Sequence, residues 1–144
     1  MGTQAFFYNL QEVADVLKSV CIIINHYYKR GDKIAINVTD DETLDMLDKK
    51  LWTFEQISFL PHCTIDEFDE TCNIVLFKLE QNDFKKYIDD FNVIVNLTKE
   101  NCNVEFSDKK FVEIVTSDES QKKISRKKFR YYQDKGIKVN YESI

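Results

Sequence analysis

Lys33-Ile34-Ala35-Ile36-Asn37-Val38 running into Thr39-Asp40-Asp41-Glu42 decides the fold class. The first six residues carry two isoleucines and a valine, the composition of a strand. The next four form a capping-box pattern, with acidic residues where a helix N-terminus is electropositive. Leu44, Leu47 and Leu51 then recur at three and four residues and make one apolar helical stripe. The same order stands upstream. Gln4 to Tyr8 is aromatic and ends at Asn9, and Asn9-Leu10-Gln11-Glu12 predicts a second cap. Val13, Leu17, Val20, Ile24 and Tyr27 build the clearest stripe in the chain, and Gly31 follows it, where a left-handed residue closes a helix. Strand, helix, strand, helix predicts a parallel sheet with crossover helices.

Downstream, Trp52 to His62 has no clean period, and Pro61 stops any helix there. Asn73 to Phe77 and Phe91 to Leu97 read as short buried strands. Phe111 to Val115 is apolar and fits a strand or a short helix equally. A last helix is expected from about Asp118 to Lys135, with Thr116-x-x-Glu119 as its capping box, Gly136 closing it, and Ile137 to Asn140 extended. The expectation is one α/β domain over residues 1–144: a mainly parallel central sheet flanked by helices, Rossmann-like but without a phosphate-binding loop. A chain of 144 residues can bury one core and would be cramped as two.

Composition narrows the class. The apolar fraction of 43% excludes a disordered chain, and three Gly with one Pro exclude collagen-like or linker-rich architectures. No run of eighteen apolar residues occurs, so no membrane partner is expected. Met1 to Leu10 lacks the charged start and cleavage site of a secretory signal, so a cytoplasmic location is expected. Cys21, Cys63, Cys72 and Cys102 form no C-x-x-C pair and read as reduced thiols.

Several chemistries are missing. There is no G-x-G-x-x-G and no G-x-x-x-x-G-K-[ST], and the turn after the first strand holds no glycine. His62, Cys63 and Cys72 match no zinc spacing, and Cys72 reads as a core residue beside a strand. Neighbours on an extended chain point to opposite faces, so His62 beside Cys63 is not a dyad. His26 falls on the polar side of its helix. The reading is no catalytic residue, no metal, no cofactor and no enzyme, with a nucleotide-dependent enzyme kept only as a remote third option.

Charge is where the sequence becomes specific. The chain carries −5, yet Lys122 to Lys138 holds eight basic residues against Asp134 alone, or +7. The remainder holds 12 basic and 24 acidic residues. Such asymmetry points to a local site for an acidic partner. Lys122, Arg126 and Arg130 stand four apart on one helical face, and Phe129 flanks that row. Two arginines beside an aromatic ring can grip a carboxylate while the ring takes an apolar side chain. The pattern also fits an amphipathic helix with Phe129 and Tyr132 in the core and a solvated basic side. A phosphate-backbone site is the other alternative, which would make the protein a direct nucleic-acid binder. Trp52, Phe59, Leu60 and Pro61 form a second feature, either a plug over the core or a contact surface.

Two stretches together resemble one family, the chi subunit of bacterial DNA polymerase III. Leu47-Asp48-Lys49-Lys50-Leu51-Trp52 with Phe59-Leu60-Pro61-His62 is similar to that family's leucine–aspartate helix end, tryptophan and hydrophobic-Pro-His segment. Arg126-Lys127-Lys128-Phe129-Arg130-Tyr131-Tyr132 with Gly136 is similar to its basic helix, aromatic residue and closing glycine. Ala5-Phe6-Phe7-Tyr8 fits its first strand, and between Cys63 and Asp108 the likeness lies mainly in the strand pattern. The resemblance implies a non-catalytic subunit of the DNA polymerase III holoenzyme. That subunit belongs to the clamp-loader part and pairs with the psi subunit or an equivalent clamp-loader component. It holds the acidic, phenylalanine-ended C-terminal tail of single-stranded-DNA-binding protein and meets DNA only indirectly. Residue by residue, the tail pocket would be Arg126, Phe129 and Arg130, with Val115 and Val139 as apolar wall and Asn140 at the rim. The psi-facing patch would be Trp52, Phe59 and Pro61. The chain departs from the family pattern at Phe129, where tyrosine is frequent, and at Arg130, where lysine is common. Thr53-Phe54 lacks the proline often found after the tryptophan, and Glu67 to Thr71 is acidic where Gly and Pro are frequent.

Overall fold

The computed structural model describes residues 2–10, 16–53, 61–64, 72–78, 90–101, 108–116 and 118–143. Along them run β1 Gln4–Asn9, α1 Val16–Lys29, β2 Ile34–Val38, α2 Asp41–Thr53, β3 Cys63–Thr64, β4 Ile74–Lys78, β5 Val93–Asn96, β6 Lys110–Val115, α3 Glu119–Asp134 and β7 Lys138–Ser143. The strands join one sheet in the order β3-β4-β2-β5-β6-β1-β7, and each pairing is parallel. The α/β architecture expected from the sequence is the one the chain adopts. Phe111 to Val115 resolves as strand.

A parallel sheet is covered on both faces, so its central strands must be apolar on both sides. Accordingly β2 and β5 are buried along their whole length, as is β4 from Ile74 to Phe77. One face receives α1 and α2: Val20, Ile24, Tyr27, Leu47 and Leu51 pack on Ile34, Ile36, Leu76 and Val95. The other face receives α3, whose Tyr132 packs with Ala5, Phe7, Ile94 and Phe111. Farther along that face Ala35, Val75, Phe77 and Phe91 form a third cluster, with half-buried Cys72 against it, as the core reading of that thiol expects. The expected stripe of α1 is present from Leu17 to Tyr27; Val13 and the Gln11-Glu12 part of its cap lie outside the described residues. His26 is exposed, as its place on the polar side predicts.

The C-termini of α1 and α3 close on glycine. Gly31 has φ +86° and Gly136 has φ +75°, conformations that cost an L side chain. Asp32 N–H donates to Tyr27 O at 3.2 Å and Ile137 N–H to Tyr132 O at 3.0 Å, so each helix ends with its last carbonyls paired. The N-caps differ from expectation by one or two residues. Asp40, not Thr39, accepts from Thr43 N–H, at 2.8 Å. Asp118, not Thr116, caps α3 and accepts from Ser120 N–H at 3.0 Å. An ionised carboxylate is a strong acceptor at an electropositive helix end, and in both places the backbone sets the aspartate, not the threonine, at the cap position. The Thr43 bond holds the Asp40 carboxyl below its ordinary value of 3.8. A lowered folded-state value means that the cap's contribution is complete above that pH and fades as the pH falls below it. Asp40→Ala should therefore lower the urea midpoint at pH 7, with the difference from the parent shrinking as the pH is taken below about 3.8.

Candidate functional site

Helix α3 carries the expected basic segment and leads from β6 to β7 across the intervening β1. Its underside is apolar at Tyr132, which is fully buried, and Phe129 is half-buried beside it. Arg126, Lys127 and Arg130 are exposed. Arg126 and Arg130 stand one helical turn apart, with Phe129 three residues from the first and one from the second. Phe129 joins a three-ring cluster. Its centroid lies 5.7 Å from Phe7, edge-on, and 5.4 Å from Tyr141, stacked at 21°. Such ring pairs contribute about 0.5–1.5 kcal/mol beyond area burial.

The sheet register explains why these residues meet. Val139 stands beside Ala5, which stands beside Phe111; Tyr141 stands beside Phe7, which stands beside Glu113. Side chains two apart share a face. Val139, Tyr141, Val115 and Phe129 thus belong to one cluster under and beside α3. Asn140 has the opposite parity. Its amide donates to Gln4 Oε1 at 3.3 Å and Ala5 O at 3.4 Å, tying β7 to β1. Of the six residues expected around the pocket, five therefore gather on the α3 side, and Asn140 sits across the edge strand from them. Tyr141, 64% exposed and stacked on Phe129, is a surface aromatic that the sequence pattern does not single out. Its alternation with Val139 is the signal that could have found it.

Lys128 departs from the expected solvated basic side. It is buried, and its ammonium lies 3.0 Å from Glu113 Oε1 and donates to Thr98 O. Tyr132 O–H donates to Glu113 Oε2 at 2.6 Å, and Asn96 Nδ2 donates to the same oxygen at 3.0 Å. Burial pushes the Glu113 carboxyl above its usual range, opposed by Lys128, Tyr132 and Asn96 in that order. The pair neutralises one of the eight basic residues, so the segment from Lys122 to Lys138 presents +6 rather than +7 to solvent.

The second candidate surface lies at the other edge of the sheet. Trp52, near the end of α2, is 48% exposed, and its ring centroid lies 4.8 Å from that of His62. His62 is buried and bonds Asp48 Oδ1 through Nε2 at 2.6 Å. This bond fastens the Pro61-His62 segment to the second-last turn of α2, and Pro61 is exposed beside it. Phe59 lies outside the described residues. The leucine–aspartate helix end and the Pro-His segment are therefore one clamp. Asp48→Ala, which removes the Nε2 acceptor, should cost about 1–2 kcal/mol in urea unfolding. Trp52 stands next to β3, whereas Phe129 and Tyr141 stand at β7. Six strand spacings separate the two edges, roughly 29 Å.

Ligands of open α/β sheets bind where adjacent strands send their helices to opposite faces. Here that point lies between β1 and β6. A hollow of about 270 Å³ near it is lined by Asn96, Thr98, Thr116, Gln121, Ser125 and Lys128, among others. Three of its polar side chains are engaged within the fold: Asn96 accepts from Thr98 and donates to Glu100 O, and Lys128 faces Glu113. Among the described residues no group of three His, Cys, Asp or Glu could hold a metal, and no helix is long and apolar enough to cross a membrane.

The comparisons with known proteins agree on one family. The family model described as "DNA polymerase III chi subunit, HolC" matches residues 2–140. A curated relative from Pseudomonas aeruginosa, named DNA polymerase III subunit chi, is 23% identical over 120 residues, spanning 83% of this chain and 80% of the relative. The chain belongs to the DNA polymerase III chi subunit family, and its place is in DNA replication, in association with that polymerase assembly.

Proposed function

We propose that the protein is a non-catalytic adaptor that links the replicase to single-stranded-DNA-binding protein by holding its acidic C-terminal tail. Arg126 and Arg130 take the carboxylates, and Phe129 with Val115 and Val139 receives the terminal apolar side chain, with Asn140 at the rim. Trp52, Phe59 and Pro61 face psi or an equivalent clamp-loader component. The observation that carries this reading is the pair of exposed arginines, one turn apart, flanking a half-buried ring on an otherwise acidic chain. The distance between the two surfaces also supports it. A tail at the β7 edge leaves the Trp52 edge open to a second partner, as an adaptor requires.

The test is calorimetric titration with a synthetic acidic peptide ending in phenylalanine. Binding is expected at about 0.1 M salt and should weaken strongly towards about 1 M, where the screening length falls from about 10 to about 3 Å. No binding at low salt would end the reading. Affinity for single-stranded DNA without any partner, with a steep salt slope, would favour direct nucleic-acid binding by the same helix.

A further inference from the structure

The two edges of the sheet are not alike. Among the described residues β3 is two residues long, too short a stretch to template another strand. β7 is six residues long, holds no proline, and pairs only with β1 among the described residues. Residues of a strand alternate in the side to which they direct N–H and C=O, so about half of β7's backbone polar groups point away from β1. An edge of this length, in unbroken register with β1 and without proline, is a template for an incoming chain, and the charges it carries, Lys138 and Glu142, bear on which chain it accepts.

Receptive surfaces flank this edge on both faces. On the α3 face stands Tyr141, stacked on Phe129, with Lys122 and Arg126 seven and three residues before Phe129 on that flank of the helix. On the opposite face a hollow of about 360 Å³ opens between α1 and the β1–β7 margin, lined by Phe6, Tyr8, Ile22, His26, Arg30 and Glu142, among others. Ile22 is 42% exposed there. An added strand sends alternate side chains to opposite faces and would meet both surfaces.

We infer that the acidic tail docks as an added strand on the outer edge of β7, hydrogen-bonded through its backbone to Lys138–Ser143, with alternate side chains against Tyr141 and Arg126 on one face and in the Phe6–Ile22–Arg30 hollow on the other. This rests on the tail-binding reading above and adds its mode. Charge selects the occupant: Arg126, Lys138 and Arg30 border the edge, against Glu142, while Lys122 is paired with Glu119 at 3.6 Å. A second copy of the chain would set this cationic flank against itself.

The experiment is an N-methyl scan of the acidic, phenylalanine-ended peptide, titrated into the full-length protein. Removing the N–H at every second position should weaken binding by about tenfold, and the intervening positions should change little. Amide exchange should slow at alternate residues of Lys138–Ser143 when the unmodified peptide is bound. If no N-methyl position matters while Arg126→Glu still abolishes binding, the tail docks by side chains alone; strand addition is then wrong and the tail-binding reading stands. If the unmodified peptide does not bind, both fall. A dimer without peptide, dissociated by it in sedimentation, would make a second copy the natural occupant and overturn the assignment.

Discussion

Lys128→Met should destabilise the protein by about 3–5 kcal/mol at pH 7, because it leaves the Glu113 carboxylate buried without its cation. In a domain of this size that is a fall of about 10 °C or more in Tm. The loss should depend on pH in a stated direction. Burial already raises the Glu113 value above its ordinary 4.5, and removing Lys128 removes the largest opposing influence. A raised folded-state value means that stability is highest where the carboxyl is protonated in both states and is lost as the pH rises through the folded value. The variant should therefore lie closer to the parent at about pH 5 than at about pH 8. Adding Glu113→Gln to Lys128→Met should restore most of the stability, since an amide needs no counter-charge. Thermal unfolding of the two variants at both pH values checks this. Equal destabilisation by the single and double variants would show that the ion pair is not what Lys128 contributes. The consequence reaches the candidate site because Phe129 is the next residue. A helix loosened at Lys128 no longer holds that ring between Phe7 and Tyr141.

The same pair shows where the sequence stops being legible. Local periodicity identifies β1, β2, β4, β5 and the buried faces of α1 and α2, because each of those signals lies within a few residues of itself. Phe111 to Val115 stays open between strand and helix because Glu113 interrupts an apolar run. The partners of Glu113 are 15, 17 and 19 residues away, and no window shows that pairing. Lys128 looks like one more solvated cation for the same reason. Strand β3 has two residues among those described, too few for any alternation, and is recognised by its pairing with β4. The caps shift by one or two positions because Thr39 and Asp40, like Thr116 and Asp118, are all competent acceptors. Backbone geometry chooses between them. The amphipathic alternative for α3 holds in half: Tyr132 is core, while Phe129 is shared between core and surface. The family resemblance brings Arg126, Phe129 and Arg130 forward. Composition alone leaves the two arginines undistinguished from Lys123 or Lys127.

That last distinction gives the second large effect. Arg126→Glu with Arg130→Glu should weaken binding of the acidic, phenylalanine-ended peptide at least a hundredfold at about 0.1 M salt. Each charge-assisted hydrogen bond contributes about 1.5–3 kcal/mol when shielded and less at an open surface. Both arginines are exposed in the free protein and would be shielded in part by the docked tail, so the lower end of that range is expected for each, and reversal adds repulsion to the loss. Two such changes reach about 3 kcal/mol, which is more than a hundredfold in Kd. Folding should be unaffected, because neither guanidinium has an ion-pair partner among the described residues. The matched control is Lys123→Glu with Lys127→Glu, which changes net charge by the same amount on the same helix. If the segment only steers the tail by its overall charge, the two double variants should behave alike and act mainly on the association rate. If Arg126 and Arg130 grip the tail beside Phe129, the arginine variant should lose far more affinity, mostly through faster dissociation. Undiminished binding by the arginine variant would remove these residues from the site. Because both pairs lie on the exposed side of α3, a change in stability would not confound the comparison.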